Sequence, residues 1–294
     1  YKKKIKCKDF NYNIIDGPQQ ALSDSINIVD FKANDVQLNL GRSTGLAAHV
    51  AIHSLDLAAK DLKTKSIDVL VTLPVNKKNI SSVRKDFIGH TEYFSSQFNN
   101  QDNLMLLCSE KLKIATATNH IPVSKISKEI TKSLIKKKIN ILTQTLKQDF
   151  LISNPKIAVL SLNPHAGDDG LIGFEDNEII QPVVNGLFKK GHLIHGPFSA
   201  DGFFGSSSYI NFDGVLAMYH DQALIPFKTI SFGEGVNYTS GLPVIRVSPD
   251  HGVGYDIAGK GVAKNHSLVF SIFLAIQIHS NRELCRHSVT KTKL

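Results

Sequence analysis

Residues 157–190 read IAVLSLNPHAGDDGLIGFEDNEIIQPVVNGLFKK, and the change of pattern inside this stretch decides the fold. Ile157–Leu162 is a short apolar run of strand length, the form taken by a strand covered on both faces. Asn163-Pro164-His165-Ala166-Gly167 interrupts it with turn-forming residues. Phe174–Lys190 then resumes on the period of an amphipathic helix. Strand, loop and helix in this order make the repeating unit of an α/β protein with a largely parallel sheet.

The same alternation runs through the chain. Strands are expected at Ile67–Val71, Leu104–Cys108, Ile114–Thr118, Gly214–Met218 and Val244–Val247. Helices are expected at Ser43–Thr64, with Ser43 as N-cap, at Ser124–Gln148, and at Ser267–Ile278 as a buried closing element. No internal repeat is visible.

Composition agrees with a globular chain. Of 294 residues, 42% are hydrophobic and 20% charged, which excludes disorder, collagen and coiled coil. At this length roughly three quarters of the unfolded surface is buried and cores begin to split into domains. The longest nearly apolar run, Leu268–Ile278, is shorter than the roughly 20 residues needed to cross a bilayer, so no membrane span is expected. Cys7, Cys108 and Cys285 are far apart and form no C-x-x-C pair, which fits a reducing cytoplasm rather than a disulfide framework or a thiolate zinc site. The net charge of +8 reads as solvated helix faces such as Lys125–Lys147, with no RNA- or DNA-binding motif to suggest nucleic acid. The first residues lack an initiator Met and an apolar leader, so the chain is expected to begin inside a longer product.

Chemistry-bearing residues gather where strands end. Thr118 is followed by Asn119-His120, Leu162 by Asn163-Pro164-His165, and Met218 by Tyr219-His220-Asp221. In open α/β sheets ligands bind beyond the carboxyl ends of strands, and imidazole is a common ligand for zinc and related ions. His120, His165 and His220 are therefore candidate metal ligands, although their spacings of 45 and 55 residues match no short metal motif. His49, His53, His192, His195, His266, His279 and His287 read as surface or helix-face residues. A second group, Gly89-His90-Thr91-Glu92 with Lys228, Asn237 and Arg246, suits an anionic ligand. Asp201 and Asp221 could accept a proton or support a metal ligand. No G-x-G-x-x-G, phosphate loop or G-x-S-x-G occurs, which speaks against a Rossmann site and an α/β-hydrolase.

Seven strings carry a family resemblance: LPVNKKNI, FIGHTEYF, ATATNHIPV, LNPHAGDDG, AMYHDQALIPFK, FGEGVNYTSGLPVIRVSPDHG and DIAGKGVA, in order between Leu73 and the closing helix. Together they resemble the 4-hydroxythreonine-4-phosphate dehydrogenase family of vitamin B6 biosynthesis. The resemblance implies a two-domain isocitrate/isopropylmalate dehydrogenase-like fold with a cleft, divided as 1–86 with 250–294 against 87–249. It implies His120, His165 and His220 as ligands of a divalent metal, zinc first, with magnesium or cobalt as alternatives, in a site shared across a homodimer. By the same resemblance His90, Thr91, Lys228, Asn237 and Arg246 bind a small phosphorylated substrate, and Asp201 and Asp221 lie beside metal and substrate. The implied reaction is NAD-dependent oxidation of 4-phosphooxy-L-threonine, with loss of carbon dioxide, to 3-amino-2-oxopropyl phosphate.

Three departures limit the resemblance. The family's opening strand and glycine-rich loop are not found. Gly202 and Asp168 stand where the family often has Thr and Glu, and residues 282–294 have no counterpart and are expected to be disordered. These leave open a paralogue acting on threonate or erythronate 4-phosphate, or a non-catalytic chain that binds a phosphorylated metabolite.

Overall fold

The computed structural model describes residues 10–30, 39–99 and 102–291, with side chains to residue 287. Cys7 and the last three residues lie outside this set. The chain divides into two compact units. The smaller comprises the described residues of 1–70 with 74–97 and 252–263, and the larger comprises the described residues of 71–73, 98–251 and 264–294.

In the smaller unit, β1 (Asn13–Ile15) pairs in parallel with β2 (Asn27–Val29). Helix α1 (Gly45–Lys63) buries Ala48, Ile52, Leu55, Ala59 and Leu62, one stripe at alternating spacings of three and four. Its N-cap is Thr44, whose hydroxyl accepts the Ala47 N–H at 3.2 Å; the expected cap, Ser43, lies one residue too early. The strand β3 (Val69–Val71) closes this part of the chain. Helix α2 (Lys77–Ser81) is capped by Asn76, and Asn79 Nδ2 donates to Thr44 O, tying α2 to the start of α1. Helix α3 (His90–Gln97) buries Tyr93 and Phe94.

The larger unit is built on β4 (Leu104–Cys108), β5 (Lys113–Thr116), β6 (Ile157–Leu160), β7 (Ile194–Phe198), β8 (Gly214–Ala217), β9 (Val236–Ser240) and β10 (Ile245–Pro249). They lie in the order β10-β9-β4-β5-β8-β6-β7. β5, β8, β6 and β7 are mutually parallel neighbours, and β9 runs the same way, while β4 and β10 oppose them. Two of these strands are absent from the sequence reading. β7 contains Gly196-Pro197, which only an edge strand tolerates. β9 alternates Asn237 and Thr239 with Tyr238, and so lacks the continuous apolar run that marks its neighbours.

Each face of the sheet has its own cover. On one side Leu107, Ile114, Leu160, Val215 and Ala217 pack with Phe203 of α7 (Ala200–Gly205) and with Ala223 and Phe227 of α8 (His220–Ile230). The expected helix 124–148 is broken. A short α4 (Ile126–Glu129) ends at Ile130, and Thr131, in extended conformation, caps α5 (Lys132–Asp149) by accepting the Leu134 N–H. α6 (Gln181–Phe188) continues a wide turn at Asp176–Ile180.

The closing helix α9 (His266–Lys291) corrects two expectations. It packs on β10, α5 and β9, so residues 264–291 go with the larger unit and not with the first segment. It also carries the expected disordered tail into the fold. Arg282, 7% exposed, donates through Nε to Asp149 Oδ1 at 2.7 Å and through Nη2 to Tyr238 Oη at 2.8 Å. Asn281 Nδ2 donates to Asp149 O at 2.7 Å. No helix among the described residues is long and apolar enough to cross a membrane.

Candidate active site

Because β5, β8, β6 and β7 are adjacent and parallel, their carboxyl ends form one rim. Along it stand Asn119-His120, Tyr219-His220-Asp221, Asn163-Pro164-His165 and Ser199-Ala200-Asp201. Cross-strand bonds lace these exits together. Thr118 Oγ1 donates to Met218 O at 2.8 Å, joining the β5 and β8 exits. Gln222 accepts the Met218 N–H and donates through Nε2 to Ser161 O, both at 2.7 Å, joining β8 to β6. Ser161 N–H donates to Phe198 O at 2.8 Å, joining β6 to β7.

The loop after β6 is unusual. His165, Ala166, Asp168 and Asp169 all have φ between 44° and 53°, with Gly167 at 81° among them. Left-handed backbone costs a non-glycine residue roughly 1–2 kcal/mol, and such strain persists where the surroundings enforce it. Asp176, fully buried, supplies part of that enforcement: Oδ1 accepts the Leu162 N–H at 2.8 Å and Oδ2 the Asn163 N–H at 3.0 Å. Gly167 must be glycine, since a Cβ there would lie 2.7 Å from Gly173 O. Glu175 accepts from Asn163 Nδ2 at 2.9 Å and from Ser127 Oγ at 2.5 Å.

The ring centres of His120 and His220 are 5.4 Å apart. His220 Nδ1 shares a hydrogen bond with Asp221 Oδ1 at 2.6 Å. Asp201 accepts from Ser199 Oγ at 2.5 Å; that bond and the Gly202 N–H hold its carboxyl below the ordinary aspartate range, and the charge of His165 acts in the same direction. His120, His220 and Asp221 thus form one group, with His165 and Asp201 coupled along the same rim.

This donor set suits a metal ion. Two imidazoles on one tetrahedral ion, at metal–nitrogen distances of about 2.0–2.1 Å, bring their ring centres to roughly 5 Å, close to the observed 5.4 Å. The Asp221 carboxylate on Nδ1 leaves Nε2 of His220 for the ion, the usual carboxylate–imidazole–metal arrangement. Among the described residues, no three His, Cys, Asp or Glu side chains converge closely enough to hold an ion unaided. Cys108 is not a donor at neutral pH, since burial pushes its thiol up to about 12.

The candidate anion-binding residues of the larger unit stand elsewhere. Asn237 pairs with Ser248 and Leu107, and Arg246 is level with Thr239; all four polar residues share the α8 face. Lys228 lies in the last turn of α8, eight positions and about 12 Å of helix from His220. It lies near Asp250, whose carboxyl burial pushes up against the pull of Lys228 and His251. The amide oxygen of Asn237 is buried without a hydrogen-bond partner. Arg246, 2% exposed, donates from Nε and Nη2 to Thr72 Oγ1 and from Nη1 to Thr239 Oγ1. With β9 and β4 between β10 and β5, Arg246 stands about 14 Å from the β5 exit at the usual strand spacing.

His90 and Thr91 open α3 in the smaller unit. The His90 ring meets Phe87 edge-on at 6.1 Å. Tyr93, one turn on, donates to Asp56 Oδ1 at 2.6 Å, and Arg84 grips both oxygens of Asp56 at 2.9 Å. Lys77 Nζ approaches the same turn, 3.2 Å from where a Cβ on Gly89 would stand.

Sequence reasoning missed Gln222, Asp176 and Thr118. Gln222 sat inside the MYHDQ string, so position could have flagged it. Asp176 and Thr118 show their roles only through contacts across strands.

The family model described as pyridoxal phosphate biosynthetic protein PdxA matches residues 1–275. The chain is 44% identical over 284 residues to the 4-hydroxythreonine-4-phosphate dehydrogenase of Bacteroides thetaiotaomicron, covering 96% of this chain and 78% of that protein. It is 39% identical over 281 residues to the enzyme of that name from a Sulfurihydrogenibium species, covering 96% of this chain and 86% of that protein. Among solved structures, the 4-hydroxythreonine-4-phosphate dehydrogenase of Klebsiella pneumoniae superimposes with a TM-score of 0.80 at 35% identity, covering 92% of this chain and 82% of that one. A match to the family model over nearly the whole chain, with relatives at this identity and a shared fold, places the protein among oxidoreductases: it belongs to the PdxA family of pyridoxal phosphate biosynthetic proteins.

Proposed function

We propose that the protein is a metal-assisted, NAD-dependent dehydrogenase that oxidises the C3 hydroxyl of 4-phosphooxy-L-threonine. The resulting β-keto acid loses carbon dioxide to leave 3-amino-2-oxopropyl phosphate. The observation that carries this reading is the single rim on which adjacent parallel strands place His120, His220, His165 and Asp201.

His120, His165 and His220 would hold the divalent ion, zinc first, with magnesium or cobalt as alternatives. When bound, such an ion supplies Lewis-acid stabilisation of negative charge at the substrate oxygen. Asp221 orients the His220 ring through Nδ1. Asp201, kept ionised by Ser199 and the Gly202 N–H, accepts the hydroxyl proton, directly or through water. Lys228, Arg246, Asn237, His90 and Thr91 bind the phosphate and carboxylate, which fixes C3 for hydride transfer. Arg246 is held ready for this by the two threonine hydroxyls.

Among the described residues no three donor side chains of one chain converge on an ion, which supports a homodimer in which each site draws on both subunits, working in the cytoplasm.

The test is NADH formation from 4-phosphooxy-L-threonine, with threonate 4-phosphate and erythronate 4-phosphate alongside. Turnover of the amino acid phosphate is expected. Turnover of the sugar-acid phosphates alone would move the protein to the paralogous reaction, which Gly202 beside Asp201 makes the second reading. Binding of all three without turnover would mark a non-catalytic chain.

A further inference from the structure

Gln222 occupies the third position of α8, the place from which a Glu or Gln often reaches back to cap its own helix. Here the side chain does more. Its Oε1 accepts the N–H of Met218, and its Nε2 donates to Ser161 O, a carbonyl of the next strand exit. Met218 and Ser161 are 0% and 1% exposed, so both backbone groups need a partner inside the protein. Met218 is two residues before His220, and Ser161 stands four residues before His165, with its Oγ donating to Asn163 O at 2.9 Å. The amide is therefore a clasp between two histidine-bearing exits. Glutamate could make the first bond but not the second, because an ionised carboxylate has no proton for a carbonyl.

We propose that Gln222 is a positioning residue of the metal centre, fixing the β8 exit against the β6 exit so that His220 and His165 are each held in the pose that a metal site shared across the homodimer requires. The proposal rests on the histidine reading above. Groups behind the ligands commonly change metal affinity 10–100-fold when altered.

The experiment measures Co2+ binding to the full chain in its native assembly, by competition titration and by the visible ligand-field spectrum. It compares the wild type with Gln222→Glu, Gln222→Met, His165→Ala and Tyr238→Phe. Gln222→Glu keeps size and the Met218 bond; Gln222→Met removes both bonds. Both are expected to raise the Co2+ dissociation constant about 10–100-fold and to shift the spectrum, while His165→Ala abolishes binding. Tyr238→Phe removes a buried hydrogen bond to Asp149 on the other sheet face; it should lower the unfolding midpoint and leave Co2+ affinity unchanged. Folded Gln222 variants with wild-type affinity and spectrum, beside a His165→Ala variant that no longer binds, would overturn the clasp alone. Wild-type affinity in His165→Ala would overturn the histidine reading, and the clasp with it.

Discussion

The imidazoles of His120 and His220 stand 5.4 Å apart at the ends of neighbouring parallel strands, and only one of them has the carboxylate of its chain neighbour on a ring nitrogen. That asymmetry separates the roles of the two candidate acids.

Asp221 touches a ring, whereas Asp201 is bonded to Ser199. Asp221→Ala should therefore weaken metal binding about 10–100-fold. Asp201→Asn should leave metal affinity intact and lower kcat about 10²–10⁴-fold. Metal titration and steady-state kinetics on the two variants decide the matter. Equal losses of kcat with unchanged metal affinity in both would refute the division.

Asp176 offers two carboxylate oxygens to two backbone N–H groups at the mouth of the left-handed loop. Asp176→Asn turns one acceptor into a donor and sets it against an N–H. With one buried group then unsatisfied, the expected loss of stability is about 1–3 kcal/mol. Hydrogen exchange should show faster exchange at Leu162 and Asn163 first. A variant with wild-type protection there would show that the loop holds itself.

The strands most easily read from sequence are those whose neighbours cover them on both sides. Leu104–Cys108 is buried at every position and was read with its observed ends. β9 was missed because its α8 face carries Asn237 and Thr239, polar for a reason that lies in β10, where Arg246 bonds Thr239. The histidine rim was legible because each His follows an apolar run. What could not be seen was which exits are adjacent: the order β5-β8-β6-β7 is set by long-range pairing. The roles of Gln222 and Asp176 depend on that order. The closing helix was read as ending near Ile278, since the Arg282–Asp149 pair that extends it joins residues far apart in the chain.

That pair also carries a stability prediction. Arg282 and Asp149 are both nearly inaccessible, and Tyr238 Oη bonds to each. Removing one member of a buried pair strands the other, at a typical cost of about 3–5 kcal/mol. Arg282→Met should lower the denaturant midpoint accordingly and release the end of α9 to proteolysis. Arg282→Lys, which keeps charge but not the fork, should recover only part of the loss. A loss below about 1 kcal/mol, the range of surface pairs, would mean that water reaches the network.

The smaller unit should respond to acid through Asp56. Burial pushes this carboxyl up, but hydrogen bonds from Arg84 and Tyr93 and the charge of Arg84 outweigh it, so its pKa falls below the ordinary value of 3.8. A carboxyl with a lowered folded pKa contributes stability that is complete above its unfolded pKa and lost as pH falls through the folded one. The contribution is modest because the Asp56 side chain is 42% exposed and solvent screens the pair. Thermal unfolding followed downward from neutral pH should therefore show a decline in the wild type that begins near pH 4. Asp56→Asn should start from a lower midpoint and decline less over the same range, since it has no proton to take up at that position. Parallel wild-type and variant profiles would show that the Asp56 pKa is the same in the folded and unfolded chain, and that Arg84 and Tyr93 hold α3 by some other means.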